Sequence, residues 1–275
     1  MWFVIFGLIL VFAVVLILRR LKFKTVIKIF KDKSVIVYGA RGSGKDVLMS
    51  NVVAYRGEPY CSNMDYCEKV KNPPLRYPFE PVYIKLGGNK YSNFVANRLI
   101  PYSYPLPDGC DFYISDAGVY FPSHEDSKLD KDYPETPMFQ ALIRHLGDAN
   151  FSCNIQALDR LWKKIREQAE CYILCLSCKV SKRGKVKQKI RIYDRYQSAL
   201  DKVEPMKVSM PLLGKSVKTD IRLERAKFRA KYGTITEYTL VYKNKGSYDS
   251  RRFKDMLERG SIGVVLKNED IKKVG

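Results

Sequence analysis

The stretch "VIVYGARGSGKDVLMSNVV", residues 35–53, decides the fold class of this chain. Its first four residues form a β-branched and aromatic run with the composition of a buried parallel strand. Three glycines follow closely, and glycine permits the backbone conformations with which a loop wraps an anion. The apolar periodicity of "VLMSNVVA" then predicts a helix, whose amino terminus favours negative charge. Strand, loop and helix together predict a phosphate-binding loop (P-loop).

Position 46 of this loop departs from the usual pattern. Asp46 stands where a serine or threonine hydroxyl normally holds magnesium, while Lys45 keeps the position that reaches outer phosphates. A carboxylate is a legitimate Mg²⁺ ligand, but its charge lies close to the phosphates, so nucleotide binding should depend strongly on the metal. The alternative is a glycine-rich turn without ligand. The predicted nucleotide-binding residues are Gly39, Ala40, Arg41, Gly42, Ser43, Gly44, Lys45, Asp46 and Val47.

A second nucleotide-binding element is the segment "CDFYISDAGVYF", residues 110–121. It predicts a strand whose carboxyl end carries Asp116, the position from which an aspartate contacts magnesium through water. Ala117 follows where many hydrolysing ATPases have a glutamate that orients the attacking water, so that role is vacant. Alternatively, Asp116 merely caps the turn before Gly118. The predicted ligands are ATP and Mg²⁺, with Asp46 and Asp116 as metal-binding residues.

The amino terminus predicts a membrane anchor. Residues 1–18 contain no charged residue, and at about 1.5 Å per residue they span roughly 27 Å, enough to cross a hydrocarbon core. Basic residues follow the span, so the positive-inside rule places the amino terminus outside and the rest in the cytoplasm. The net charge of +20 favours an anionic partner. Residues 19–33 mix basic side chains with Leu21, Phe23, Ile27 and Phe30, which suits an anionic leaflet.

The remaining pattern predicts an α/β fold, a P-loop NTPase core with a mainly parallel sheet and flanking helices. Helices are expected over 136–147, 159–170 and 249–260, and strands over 151–158, 171–180, 186–196 and 234–244. The predicted organisation is a transmembrane anchor (1–20), a basic juxtamembrane segment (21–34), the core (35–200) and a carboxyl-terminal accessory segment (201–275).

Residues 179–193 form the clearest predicted hairpin, and they are strongly basic without an acidic residue. This hairpin is either a solvated tip or an arm that contacts phosphate or membrane. In the strand before it, Cys175 and Cys178 have an odd separation, which points the two thiols to opposite faces. That geometry is poor for zinc, and we expect no structural metal.

In their order and spacing, these motifs resemble the zonula occludens toxin-like (Zot-like) ATPases, assembly and export proteins of filamentous phages. The resemblance covers about residues 34–255. It rests on the loop, on "FYISDAGVYF", on the stretch from residue 144 to 170, in which an arginine follows a glutamine by ten residues, and on "SYDSRRF" from residue 247.

The resemblance implies an oligomeric P-loop ATPase at the host inner membrane that drives extrusion of single-stranded DNA virions. Other phage assembly or coat proteins would be its partners, and single-stranded DNA could contact the basic hairpin. Gln156 would be a sensor near the γ-phosphate, and Arg166 would contact nucleotide in the same or a neighbouring subunit. The implied catalytic residues are Lys45, Asp116, Gln156 and Arg166.

The chain also departs from the family pattern. Its apolar span comes first rather than after the ATPase region, and Asp46 and Ala117 alter the catalytic centre. Two alternatives therefore stay open: a structural assembly protein with a degenerate nucleotide site, and a DNA-translocating or packaging ATPase of another family.

Overall fold

The computed structural model describes residues 14, 22–78, 82–85, 91–94, 109–132, 140, 149–206 and 215–247. The expected membrane span, apart from residue 14, and the expected helix over 249–260 lie outside this part of the chain. So does the expected helix over 136–147, apart from residue 140. Within the described residues, no helix combines the length and the apolar character needed to cross a membrane.

The architecture is a mixed sheet with flanking helices. Eight strands form one sheet in the order β10-β9-β8-β1-β7-β6-β2-β3, in which only β8–β9 and β9–β10 pair antiparallel. The strands are β1 (Val35–Tyr38), β2 (Tyr60–Ser62), β3 (Arg76–Pro78), β4 (Val82–Lys85), β5 (Tyr91–Phe94), β6 (Asp111–Ile114), β7 (Phe151–Ile155), β8 (Cys171–Val180), β9 (Lys185–Tyr193) and β10 (Ile235–Lys243). β4 and β5 form a separate antiparallel pair. The predicted α/β class with a mainly parallel sheet is confirmed.

The helices cover both faces of the sheet. They are α1 (22–32), α2 (Lys45–Arg56), α3 (Ala117–Tyr120), α4 (Asp126–Asp132), α5 (Lys163–Gln168), α6 (Tyr196–Leu200) and α7 (Lys215–Tyr232). Two hydrophobic clusters result, and β1 contributes to both: Ile36 and Tyr38 face one, Val35 and Val37 the other. A strand buried on both faces has no polar alternation, which is why β1 reads as a continuous apolar run.

Helix α1 packs into the protein. Phe23, Val26 and Phe30 recur at helical spacing and are buried, whereas Lys24 and Lys28 on the other face are exposed. These apolar side chains therefore contribute to the hydrophobic core instead of lying on a leaflet. The lysines of α1 remain available to an anionic surface.

The helix expected over 159–170 is shorter than predicted. A 3₁₀ turn (Leu158–Arg160) comes first, and α5 begins only at residue 163. Between them the backbone is extended, because Trp162 donates its N–H to the carbonyl of Phe121 (2.8 Å) and its indole N–H to Asp130 (3.0 Å). Burial of this tryptophan outweighs local helix propensity.

A bulge corrects the prediction for the two thiols of β8. The register shifts between Cys175 and Ser177, so Cys175 lies opposite Ile190 and Cys178 opposite Gln188. One extra residue puts both thiols on the same face, and the predicted opposite orientation is wrong. All seven cysteines of the chain are free, and burial raises the pKa of the Cys175 thiol.

The segment after β10 crosses helix α2. Asn51 of α2 donates to the side-chain oxygen of Asn244 (2.7 Å), and its own oxygen accepts from the N–H of Lys245 (2.8 Å). Gly246 approaches the helix so closely that an added Cβ would lie 2.4 Å from the carbonyl carbon of Ser50. This part of the carboxyl-terminal segment thus packs on the core.

Candidate nucleotide-binding site

The loop between β1 and α2 is wrapped tightly against β8. Gly39, Gly42 and Gly44 all have positive φ angles (145°, 78° and 89°). A Cβ on Gly39 would lie 2.4 Å from the carbonyl oxygen of Cys175, and one on Gly44 would lie 2.3 Å from the Cβ of Cys178. Both left-handed geometry and lack of space therefore require glycine at these two positions.

Lys45 lies over the loop that precedes it. Its ammonium group donates to the carbonyls of Gly39 (3.0 Å) and Ala40 (3.2 Å), and only 6% of the residue is exposed. The cation is thus held at the centre of the loop by neutral carbonyls, without a carboxylate partner among the described residues. A phosphate bound in the loop would meet this charge directly.

The loop contains a buried polar atom that fits a phosphate. The hydroxyl of Ser43 is buried and has no hydrogen-bond partner among the described residues. Immediately after it, Gly44 begins the twelve-residue helix α2 with no side-chain cap, so the first-turn N–H groups lack a capping oxygen. An unpaired buried hydroxyl costs free energy, and a phosphate oxygen would satisfy it. Of the other predicted loop residues, Arg41 is exposed and Val47 packs against the core.

Asp46 is held in one orientation by two neighbouring strands. Its Oδ1 accepts from the amide of Asn154 in β7 (2.7 Å) and from the hydroxyl of Ser115 after β6 (3.0 Å). Ser115 is itself fixed by Asn63 after β2, which exchanges two hydrogen bonds with its backbone (2.8 and 2.9 Å). Such outer partners orient a carboxylate that binds a metal.

Asp116 lies beside Asp46 at the carboxyl end of β6. Its backbone is left-handed (φ 50°, ψ 48°) and its N–H donates to the side-chain oxygen of Asn154 (2.8 Å). A non-glycine residue in this region stores strain, which is commonest at functional sites. Desolvation raises the pKa of Asp116, repulsion from Asp46 raises it further, and Lys45 opposes both effects.

The donor set fits a magnesium ion together with phosphates. Two carboxylates that repel each other lie beside one lysine, and a divalent cation between them would relieve that repulsion. The described residues contain no cluster of three or more His, Cys, Asp or Glu side chains suited to a metal. Mg²⁺ ordinarily takes one or two carboxylates and completes its shell with phosphate oxygens and water.

The remaining predicted residues differ in their placement. Gln156 is exposed directly after β7, at the carboxyl ends of the parallel strands, where the loop also lies. Ala117 is fully buried. Arg166 donates to the carbonyls of Leu158 and Asp159 (3.4 and 3.1 Å). The carbonyl of Arg166 accepts a hydrogen bond from the hydroxyl of Tyr172. Tyr172 lies near the start of β8, at the end of the parallel strands opposite the loop. A role for Arg166 toward nucleotide in the same or a neighbouring subunit stays a prediction.

Four further polar residues support the site, and the sequence analysis did not identify them. Asn63, Ser115 and Asn154 lie at or directly after the carboxyl ends of buried strands, and a polar side chain at such a position is the signal that could have found them. Gln188 lies in the middle of the lysine-rich strand β9, where no local signal distinguishes it. Three of them orient the carboxylates, and the fourth supports the start of α2 from β9. They are Asn63, Ser115, Asn154 and Gln188.

No family model matches this sequence, and neither does any curated protein. Solved structures similar to this chain include the N-terminal domain of zonular occludens toxin from Neisseria meningitidis, with a TM-score of 0.40 and 13% identity over 80% of this chain and 97% of that chain. Another is the genome packaging NTPase B204 from Sulfolobus turreted icosahedral virus 2 in complex with AMP, with a TM-score of 0.37 and 14% identity over 66% and 99%. Its complex with ATP-gammaS has a TM-score of 0.36 at the same identity and coverage.

The toxin domain bears the name of the family that the sequence motifs resemble. Because all three TM-scores are below 0.5 and the identities are low, these likenesses carry no argument about the activity of this chain. The properties of its site rest on its own residues.

Proposed function

We propose that this chain is a membrane-anchored P-loop ATPase that drives assembly and extrusion of filamentous single-stranded DNA phage virions. The observation that supports nucleotide binding is the grouping of Lys45, Asp46 and Asp116 at the carboxyl ends of the parallel strands. They lie beside a loop with an unpaired buried hydroxyl. The assembly role and the host inner membrane as location follow from the motif order and the apolar amino terminus.

Different residues of the site would bind the phosphates and the metal. The loop N–H groups and Ser43 would hold phosphate oxygens, and Lys45 would move from the loop carbonyls to the outer phosphates. Asp46 and Asp116 would hold the metal, which offsets phosphate charge as bond cleavage proceeds. Asn154 contacts both residues, through the Asp46 carboxylate and the Asp116 N–H, and keeps their spacing. Gln156, exposed at the same ends of the strands, is the proposed sensor of the outer phosphate.

A second candidate function is favoured by Ala117. Because this fully buried methyl group occupies the position of the usual water-orienting glutamate, the site could bind nucleotide without turnover. The chain would then be a nucleotide-dependent structural component of the same assembly complex.

Phosphate release by the full chain in detergent micelles tests the ATPase. We expect release from ATP that requires Mg²⁺ and is lost in Lys45→Ala, while the exposed Lys28→Ala serves as the matched control and keeps the wild-type rate. Binding of ATP without release in the wild type would select the second candidate. If the wild type neither bound ATP nor released phosphate, both candidate functions would be rejected.

Complementation of the phage tests the assembly role. With Lys45→Ala, phage DNA should accumulate in the cell while virion release falls far below the wild-type level. Normal virion release by this variant would contradict the proposed role.

A further inference from the structure

A basic cavity lies beside the first turns of α1, away from the nucleotide site. Its volume is about 580 Å³, within the size range of small-molecule sites. The walls come from four parts of the chain, namely α1, α2, the hairpin turn and β10. The lining residues are Phe23, Lys24, Ile27, Tyr55, Arg183, Gly184, Lys185, Val241, Tyr242 and Lys243.

The floor of the cavity is apolar and closely packed. Phe23 stacks on Tyr242 with ring centroids 3.9 Å apart and meets Tyr55 edge-on at 5.0 Å. The hydroxyl of Tyr55 donates to the carbonyl of Lys243 (2.9 Å), and the hairpin turn is tied to β10 through Asn244 and Gly184 (2.7 Å). The four walls are therefore held together by contacts of their own, and the cavity does not need a ligand to form.

The rim of the cavity carries only positive charge. Lys24, Arg183, Lys185 and Lys243 are exposed there, and no carboxylate lines the cavity. None of the four has an ion-pair partner among the described side chains. An apolar floor beneath four unpaired cations fits a ligand with an acidic head and a hydrocarbon part.

We propose that this cavity binds the headgroup and upper acyl region of an anionic phospholipid. Its position agrees, because α1 follows the apolar residues 1–18 within a few residues. Nucleic acid fits less well, since the aromatic rings of the floor pack against one another instead of projecting from the surface as a base-stacking platform requires. The inference rests on the proposed membrane anchor and does not depend on ATP turnover.

Lipid retention by the full chain tests the site. The protein is purified in a non-ionic detergent and mixed with either phosphatidylglycerol or phosphatidylcholine, and retained lipid is counted by native mass spectrometry. Charge reversal at the rim, Lys24→Glu with Arg183→Glu, is compared with Lys28→Glu and Lys182→Glu. The control pair makes the same charge change on the same helix and the same turn but lies outside the lining.

The wild type and the control pair should retain phosphatidylglycerol, and the rim pair should retain at least about tenfold less of it. Phosphatidylcholine should be retained by none of them. Equal losses in both pairs, or equal retention of both lipids by the wild type, would overturn the site in favour of general electrostatic attraction. Displacement of the lipid by a short oligonucleotide would overturn it in favour of nucleic acid. ATP binding measured on the same samples should not change, which separates this outcome from failure of the proposed function.

Discussion

Gln188 of β9 donates a hydrogen bond to the carbonyl of Gly44 (2.9 Å), the residue at which helix α2 begins. The amide is fully buried, and its oxygen accepts from the hydroxyl of Tyr242 in β10 (2.8 Å). The two antiparallel strands β9 and β10 therefore support the loop between β1 and α2. Tyr242 stacks in turn on Phe23, so α1 belongs to the same packed unit.

Gln188→Ala should weaken both folding and nucleotide binding. The Gly44 carbonyl keeps its hydrogen bond from the N–H of Leu48 (2.9 Å), but the buried Tyr242 hydroxyl loses the acceptor at Gln188. An unsatisfied buried polar group costs about 1–3 kcal/mol. Urea denaturation measures the stability change, and equilibrium ATP binding measures the effect on the loop. The exposed neighbour Lys187→Ala is the control and should change neither. Wild-type stability in Gln188→Ala would show that the buried hydrogen bonds contribute nothing.

The three loop glycines should differ in their tolerance of alanine. Gly39→Ala and Gly44→Ala combine a left-handed backbone with a Cβ closer than 2.5 Å to β8, so each should cost several times more stability than Gly42→Ala. At Gly42 nothing lies within 4 Å of the added Cβ, which leaves only backbone strain of about 1–2 kcal/mol. Thermal unfolding of the three variants checks the order. Equal losses would mean that contact with β8 does not constrain the loop.

Asp116→Asn should stabilise the metal-free protein at neutral pH. Its pKa in the folded state is raised from 3.8, chiefly by desolvation and then by Asp46, so the folded protein prefers the neutral carboxyl. The protonated Asp116 carboxyl stabilises the wild type fully at a pH below the pKa that Asp116 has in the unfolded chain. This stabilisation is lost as the pH rises through the raised pKa of the folded state. A neutral amide removes this loss. Without Mg²⁺, the melting temperature of Asp116→Asn at pH 7 should exceed that of the wild type, and the difference should vanish near pH 3.

Magnesium and ATP should reverse that order. The wild type gains ligand-binding free energy that Asp116→Asn lacks, because the amide is a poorer ligand for the metal. A variant that stays more stable than the wild type with saturating Mg²⁺ and ATP would contradict metal binding by Asp116.

The sequence predicts the parts of the molecule whose signal is local. The run from Val35 to Tyr38 identifies β1 because both faces of the strand are buried, and the glycine pattern identifies the loop. The partners of Asp46 are different. Asn154 and Ser115 reach it because β7 lies between β1 and β6, and this strand order has no local signature in the sequence.

Two local patterns gave wrong geometry because long-range contacts outweighed them. The bulge at Cys175 depends on the pairing of β8 with β9, and alternation within one strand cannot reveal it. Similarly, Trp162 lies within a helical pattern, but its contacts with Phe121 and Asp130 hold that segment extended.

The measurement that tests the central claim most directly is equilibrium binding of ATP to the full chain with and without Mg²⁺, in the wild type and in Asp46→Asn and Asp46→Thr. If Asp46 holds the metal, the wild type should bind ATP only with Mg²⁺. Asp46→Asn should bind ATP without Mg²⁺ more tightly than the wild type, since the repelling charge is gone. Asp46→Thr should bind with Mg²⁺ because its hydroxyl can hold the ion. Wild-type binding that is independent of Mg²⁺, or no binding in any of the three proteins, would contradict the account.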